Sequence, residues 1–264
     1  MKDKIAIIGG SGFIGSYTLA ELCKQQADVT IIDIVPPYRE NILDCQFKFI
    51  KCDIRDAKEI ERIMLHSRFD VVYHFAAIIR AEVCRKDPLL CCDTNITGLA
   101  NVLSACTKVD IKRFLFSSTT HVYNCETDTP SEDTIIDIRD LTHIYPASKL
   151  IGEMLIKSLD IPYTIFRYSI AYGPHGHLDS VVHQFILNAM NNKPLIVHGS
   201  GLLGRDFLYV EDHARGNVAA LSTNAENEII NLGGKYITIY DAAHAVKNVI
   251  NPKAEIRIIT DKRP

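Results

Sequence analysis

A chain of 264 residues with 47% hydrophobic and 23% charged side chains carries enough apolar material for a sizeable buried core. Its 29 basic and 32 acidic side chains leave a formal net charge of −3, and no basic run is present to follow a phosphate backbone, so nucleic acid is not expected as a partner. The eight cysteines form no Cys-x-x-Cys pair and no Cys/His cluster with zinc spacing, so no metal is expected and reduced, buried thiols in a cytoplasmic protein are.

In chain order, Met1-Lys2-Asp3-Lys4 opens an apolar run, Lys4–Ile8, that leads into Gly9-Gly10-Ser11-Gly12-Phe13-Ile14-Gly15. Four glycines so close to the start mark a strand and a turn rather than a signal peptide. A helical pattern follows over Phe13–Lys24. Strand, glycine turn and helix start in that order make a dinucleotide cradle. The first glycine allows a tight turn, the second lets backbone approach a pyrophosphate, and the third lets helix and strand pack closely. The helix N-terminus offers amides and positive dipole to the phosphates. The next run, Val29–Asp33, ends on a carboxylate 18 residues past Gly15. A carboxylate there accepts bonds from ribose hydroxyls and repels a 2′-phosphate, so NAD is expected over NADP. Arg39, six residues on, is read as a solvated loop charge.

Further strands are predicted at Phe47–Ile50, Val71–Phe75, Phe114–Ser117 and Tyr163–Tyr168, and helices at Ala57–Leu65, Leu89–Thr107 and Ala147–Leu159. This alternation predicts an α/β fold, a Rossmann-type doubly wound parallel sheet covered on both faces. After Pro174 the rhythm changes to a helix near Val181–Asn191, a strand at Leu195–His198 and mixed elements to the end. Residues 1–174 are therefore expected to form the NAD-binding domain, and residues 175–264 a small lobe over the carboxyl ends of the strands. No segment is expected to span a membrane.

Tyr145-Pro-Ala-Ser-Lys149 places a phenol and an ammonium four residues apart, on one face of a helix. There the ammonium can lower the phenol pKa towards neutrality for proton exchange with a hydroxyl; the same spacing also occurs in plain surface pairs. Thr119, ending a parallel strand, falls at the carboxyl edge of the sheet, where its hydroxyl can bond the reacting oxygen. Thr119, Tyr145 and Lys149 are the candidate catalytic residues. His121 and Cys125 lie in the loop after Thr119, either as a second acid/base or as plain loop lining.

Together these motifs resemble those of the extended short-chain dehydrogenase/reductases, specifically the NAD-dependent epimerase/dehydratase family that acts on nucleotide sugars. Gly9, Gly12 and Gly15, with Phe13 and Ile14 between them, match the cofactor loop. Asp53-Ile54 matches the pair that meets adenine, and His74-Phe-Ala76-Ala77 the strand end beneath the nicotinamide half. Asn95 falls where the family has an asparagine in the helix before the fifth strand. Ser117-Ser118-Thr119 matches the Ser-Ser-Ser/Thr end of that strand. The resemblance implies cofactor contacts from Gly9, Gly12, Phe13, Ile14, Gly15, Asp33, Asp53, Ile54, Ala76, Ala77, Asn95, Ser117, Tyr145 and Lys149, with Lys149 holding the nicotinamide ribose.

In the lobe, Arg205-Asp206-Phe207-Leu208-Tyr209-Val210-Glu211-Asp212 is similar to the family signature whose arginine grips a nucleotide diphosphate. Pro194–Gly199 resembles the strand walling the base, which puts His198 among the substrate residues. Arg263 stands in what looks like the start of the family's Arg-Pro-Gly-Asp segment, beyond which relatives continue; a C-terminally shortened lobe is the expectation. Two positions depart from the pattern. Ile170 replaces an asparagine near the substrate phosphates, and Thr120-His121 stands where sugar 4,6-dehydratases carry an acidic pair.

The resemblance implies a nucleotide-sugar epimerase that takes up and returns a hydride. The alternatives are a dehydrogenase, reductase or dehydratase on a nucleotide sugar or other small carbonyl substrate, and a non-catalytic dinucleotide-binding regulator. Relatives pair the helices matching Leu89–Thr107 and Ala147–Leu159 across a dimer interface, so a homodimer is expected.

Overall fold

Val, Ile and aromatic residues dominate the runs that become strands, and both faces of those strands are covered, as an interior parallel sheet requires. The computed structural model describes residues 3–37, 46–123, 130–222 and 224–260. In chain order these form β1 (Lys4–Ile8), α1 (Phe13–Lys24), β2 (Asp28–Asp33), β3 (Lys48–Lys51), α2 (Ala57–Ser67), β4 (Val71–His74), α3 (Ala81–Lys86), α4 (Pro88–Cys92), α5 (Leu99–Cys106), β5 (Arg113–Thr119), α6 (Ile144–Lys157) and β6 (Tyr163–Tyr168). There follow β7 (Ile170–Tyr172), α7 (Val181–Met190), β8 (Leu195–His198), β9 (Gly204–Tyr209), α8 (Val210–Ala219), β10 (Glu228–Leu232), β11 (Lys235–Thr238), α9 (Ile239–Ile250) and β12 (Ile256–Ile259).

Seven strands form one sheet in the order β10-β6-β5-β4-β1-β2-β3, every neighbouring pair parallel. The order runs outward from β1 to β3, then resumes at β4 on the other side of β1. That reversal opens a crevice beyond the carboxyl ends of β1 and β4, where Ile8 is paired with His74. Ile60, Leu99, Phe116 and Ile156 fill the core on one face, under α2, α5 and α6. Leu19, Tyr73, Leu115 and Val218 fill the other, under α1 and α8.

Several boundaries differ from expectation for physical reasons. The helix expected from Ala147 starts at Ile144, because Pro146 falls in its first turn, where a missing N–H removes no helical bond. Tyr145 and Lys149 therefore share one helix, as their spacing requires. The expected helix Leu89–Thr107 is broken by a π-helical turn over Asp93–Gly98 between α4 and α5. The expectation that no segment could span a membrane fails by length and composition on Pro88–Cys106, a 19-residue apolar helix. Its apolar side is used internally: Cys91, Leu99, Val102, Leu103, Ala105 and Cys106 are buried. Cys52, Cys84, Cys91, Cys92 and Cys106 are free thiols as expected, whereas Cys23 is disulfide-bonded.

The chain divides into two compact units, Met1–Tyr168 with Glu211–Leu232, and Ser169–Val210 with Gly233–Pro264. The single cut expected after residue 174 is thus an interleaved division, because β10 returns to pair with β6 as the edge of the large sheet. In the second unit β7, β9 and β11 form a three-stranded sheet, β8 and β12 pair in parallel, and Phe185, Leu195, Val197 and Ala243 are among the residues of its core.

His213 of α8 is fully buried edge-on to Tyr168, ring centroids 4.9 Å apart, with no hydrogen-bond partner at either ring nitrogen. Burial pushes its pKa down to about 4, and that of buried His74 to about 3. Both folded values lie below the unfolded value, so the stability these neutral rings contribute is present above about pH 6.5 and is lost as pH falls towards the folded pKa. His213 alone accounts for a loss on the order of 2 kcal/mol between pH 7 and pH 5. His213→Leu is expected to shrink the drop in urea midpoint between those pH values; an equal drop in wild type and variant contradicts this account.

Candidate active site

The turn from β1 to α1 is built backbone against backbone. Gly9 has φ +81°, and a Cβ there would stand 2.4 Å from the Ala76 amide nitrogen; at Gly15 it would meet the Gly9 carbonyl oxygen at 2.6 Å. The Gly9 N–H donates to Ile32 O at 2.9 Å and the Gly12 N–H to Gly9 O at 3.2 Å. Gly12 is the N-cap of α1 and brings no side chain to the amides of Phe13 and Ile14, and no acidic residue stands in the first turn. That helix end is suited to an anion.

Asp33 ends β2 beside the loop. Its carboxylate accepts from the Ser11 N–H at 3.0 Å and the Val35 N–H at 3.3 Å, and Ser11 Oγ donates to Val35 O at 2.7 Å. Both bonds orient the carboxylate towards a cavity of about 530 Å³ lined by Gly9, Gly12, Asp33, Asp53, Ala76 and Ala77. Asp53 is clamped by Arg55, whose Nη2 donates to it at 2.6 Å, and this holds its carboxyl below the usual range. Ile54 lines the same cavity, but its side chain is buried against Gly98.

Asn95, in the π-turn, sits behind the crevice wall rather than along it. Its Oδ1 accepts from Ile78 N–H at 2.7 Å, and its Nδ2 donates to Ile78 O at 2.9 Å and to Ser148 Oγ at 3.0 Å. Asn95 thereby grips both polar groups of the residue after Ala76-Ala77 and ties them to α6. Ser148, which the sequence reading passed over, lies between Tyr145 and Lys149 and donates its own hydroxyl to Tyr145 O at 2.7 Å.

The three candidate catalytic residues converge. Thr119, at the end of β5, shares a side-chain hydrogen bond with Tyr145, and its Oγ1 accepts from the His121 N–H at 3.2 Å. Lys149 is 3% exposed; its Nζ donates to Ser117 Oγ at 3.4 Å and lies 4.8 Å from the centre of the Phe116 ring. Ser117 in turn donates to His74 O at 3.0 Å. The phenol is not lowered by the lysine as expected. Burial pushes Tyr145 up to about 12, against the pull of its bond to Thr119. Burial likewise pushes Lys149 down to about 7, against Cys91 and Glu153, which favour its charge. So desolvated, the ammonium stabilises the phenolate less than the four-residue spacing alone suggests.

Glu153 was also missed; it continues the four-residue spacing of Tyr145 and Lys149 by one more helical turn, a signal visible in the sequence. His121 is exposed in the turn after Thr119. In the second unit, His198 ends β8 and Arg205 lies in β9, both exposed, with Arg205 Nη1 donating to Gly204 O at 2.8 Å; Ile170 opens β7. Arg39, Cys125 and Arg263 lie outside the described residues.

A parallel sheet with this crossover, this glycine turn and a Thr–Tyr–Lys cluster at its carboxyl edge defines a dinucleotide-dependent enzyme of the short-chain dehydrogenase/reductase type. The model of the NAD dependent epimerase/dehydratase family matches residues 5–233, and the chain belongs to that family. A UDP-N-acetyl-alpha-D-glucosaminuronate decarboxylase from Bacillus cytotoxicus is 32% identical over 248 residues, 89% of this chain and 76% of the relative. The crystal structure of UDP-glucuronic acid 4-epimerase from Bacillus cereus, in complex with UDP-glucuronic acid and NAD, superposes with TM-score 0.86 at 32% identity, covering 98% of this chain and 86% of that one. The UDP-glucose 4-epimerase of Thermotoga maritima, with UDP-glucose, gives TM-score 0.89 at 26% identity over 98% of this chain and 86% of that one.

Replacing Asn95 by Ala strands the Ile78 amide and the Ser148 hydroxyl in a buried setting. A loss of about 1–3 kcal/mol in unfolding free energy by urea titration is expected; no loss would mean the clamp contributes nothing to the fold.

Proposed function

We infer that the chain is an NAD-dependent nucleotide-sugar epimerase. The observation that carries this reading is the convergence of Thr119, Tyr145 and Lys149 at the carboxyl end of β5, beside the crevice under the glycine turn. The crevice fits the cofactor: Gly9 and Gly15 leave no room for side chains, the uncapped start of α1 suits a phosphate, and Asp33 lines the same cavity, where it would meet a ribose. Bound NAD supplies the hydride acceptor for the sugar carbon and the hydride that is returned. Tyr145 takes the proton of the reacting hydroxyl and gives it back after the keto sugar has turned, while Thr119 holds the same oxygen. Lys149 would hold the nicotinamide ribose, and bound NAD⁺ would add a positive charge beside the phenol. In the second unit, Arg205, with Arg263 further on in the chain, is assigned to the nucleotide diphosphate and His198 to the nucleotide base.

The epimerase names of the Thermotoga maritima and Bacillus cereus neighbours support epimerisation over oxidation with cofactor exchange. Thr120-His121 in place of an acidic pair weighs against 4,6-dehydration, the runner-up. The formal charge of −3 supports a protein without nucleic-acid partners, the five free thiols, against the disulfide at Cys23, a cytoplasmic one, and the internal use of the Pro88–Cys106 helix one without a membrane span.

We assign a homodimer through α4 and α6, which leave Leu89 70% and Met154 64% exposed next to Ile151. Such apolar area on neighbouring helices is what a second copy would cover. Leu89→Glu with Met154→Glu is expected to halve the mass by light scattering with the melting temperature little changed.

The purified protein is expected to carry NAD and to interconvert a UDP-sugar pair with no cofactor added. A strict need for stoichiometric NAD(H) would replace the epimerase by a dehydrogenase. Tyr145→Phe is expected to lower kcat by about 10²–10⁴-fold while the NAD Kd stays within about twofold of wild type, since it removes one hydroxyl and no cofactor-orienting charge. A variant that keeps most of its rate would remove Tyr145 from the chemistry.

A further inference from the structure

One turn past Lys149 on α6, Glu153 is 2% exposed and carries a full set of partners. Arg167 donates to it twice, from Nη2 at 2.7 Å and Nε at 3.1 Å, and Ser118 Oγ donates to the same carboxylate. Ser118 and Arg167 are themselves opposite one another across β5 and β6. On its other side the guanidinium donates from Nη1 to Tyr123 OH at 2.9 Å and lies 4.9 Å from the centre of that ring. Tyr123 OH donates onward to Asn231 Oδ1 of β10 at 2.6 Å.

A buried ion pair of this kind is a poor source of stability, because desolvating two charges offsets most of their attraction, and apolar side chains of similar volume fill such space as well. What the pair supplies is geometry. Ser118 immediately precedes Thr119 and Tyr123 follows it by four residues. Both are tied to the one Glu153–Arg167 unit, so the segment carrying the Thr119 hydroxyl is held on each side. We propose that Glu153 and Arg167 are a positioning pair that keeps Thr119 in register with Tyr145 by anchoring the chain on both sides of it. The proposal rests on the reading of Thr119 and Tyr145 as the acid–base site.

The electrostatic surroundings are defined. Glu153 faces Ser118 of β5, Arg167 of β6 and, on its own helix, Lys149. Tyr145 faces Thr119 of β5 and Cys84 of α3, and Lys149 faces Cys91 of α4 and His74 of β4. Removing both members of the pair leaves the net charge of this neighbourhood unchanged. Glu153 also favours the charge of Lys149, so the uncharged deletions Ser118→Ala and Tyr123→Phe are compared with the double variant, and a shift of the Tyr145 titration common to all three reports the lost Thr119 bond rather than a lost charge.

The test is Glu153→Met with Arg167→Met, made together so that no buried charge is stranded. The double variant is expected to melt near wild type and bind NAD normally, with kcat lower by about ten- to a hundredfold and KM unchanged, the pattern of an interaction made in the transition state. In the NAD complex the Tyr145 phenol, followed by NMR of ¹³C-tyrosine-labelled protein and assigned by its loss in Tyr145→Phe, is expected to titrate at higher pH. A folded double variant with wild-type kcat and an unchanged Tyr145 titration overturns the proposal, as does a loss confined to KM. If the double variant does not fold, Ser118→Ala and Tyr123→Phe each delete one anchor; normal kcat and titration in both overturn it equally. A wild type that turns over no nucleotide sugar, with a Tyr145 titration that still moves in the variants, would leave the positioning pair standing and remove only the epimerase reading.

Discussion

Everything at the carboxyl edge of the sheet depends on how closely Gly9 lies against Ala76. The Ile8 carbonyl accepts both the Phe75 and the Ala76 N–H, at 2.8 and 3.1 Å, so the chain leaving β4 is drawn over the end of β1. No Cβ fits between the two backbones, and the left-handed conformation at Gly9 is one that other residues adopt only under strain. From that contact the wall continues to Ile78, where Asn95 takes both backbone groups and fastens them to α6. The crevice wall is therefore held by hydrogen bonds to the main chain, from Ile8 at one end and from the Asn95 side chain at the other.

The same burial that makes the site rigid works against its chemistry until a second charge arrives. Lys149 is buried and Tyr145 half-buried, and desolvation drives each towards its neutral form. A low-dielectric site strengthens any charge brought into it, so the influence of a bound cation on the phenol is larger there than it would be at the surface. Burial thus raises the pKa of the phenol, and a bound oxidised cofactor is expected to lower it. Ser117 belongs to the same logic: it passes the lysine's hydrogen bond to the His74 carbonyl and so couples the ammonium to the strand beneath the crevice.

The first half of the molecule was readable because its signals are local. Gly9, Gly12 and Gly15 mark a turn that only small residues permit, Asp33 ends a run of β-branched side chains, and the apolar runs alternate with helical periods. What stayed hidden depends on distance in sequence. Nothing in Glu228–Leu232 distinguishes a strand of the large sheet from one of the lobe, because its partner Thr164–Tyr168 is some sixty residues away. The π-turn at Asp93–Gly98 has no period of its own, and the depressed charge of Lys149 comes from burial that outweighs Cys91 and Glu153, which spacing alone cannot supply. Glu153 was visible as a third step in a four-residue stripe, but its meaning required Arg167, on a different strand.

The return of β10 to the large sheet has a consequence during synthesis. The edge of β6 can be capped only after residue 232 has left the ribosome, so between Tyr168 and Glu228 the nascent chain presents an unpaired parallel edge. At about 5–20 residues per second that interval lasts several seconds. The hydrogen bonds that close it, from Thr164 Oγ1 to Ala225 O at 2.6 Å and from the Asn227 N–H to Tyr163 O at 2.6 Å, form only when the smaller unit has been partly made. Open edges recruit other strands, which makes the edge of β6, during the synthesis of residues 169–227, the place where a growing chain is most exposed to mispairing.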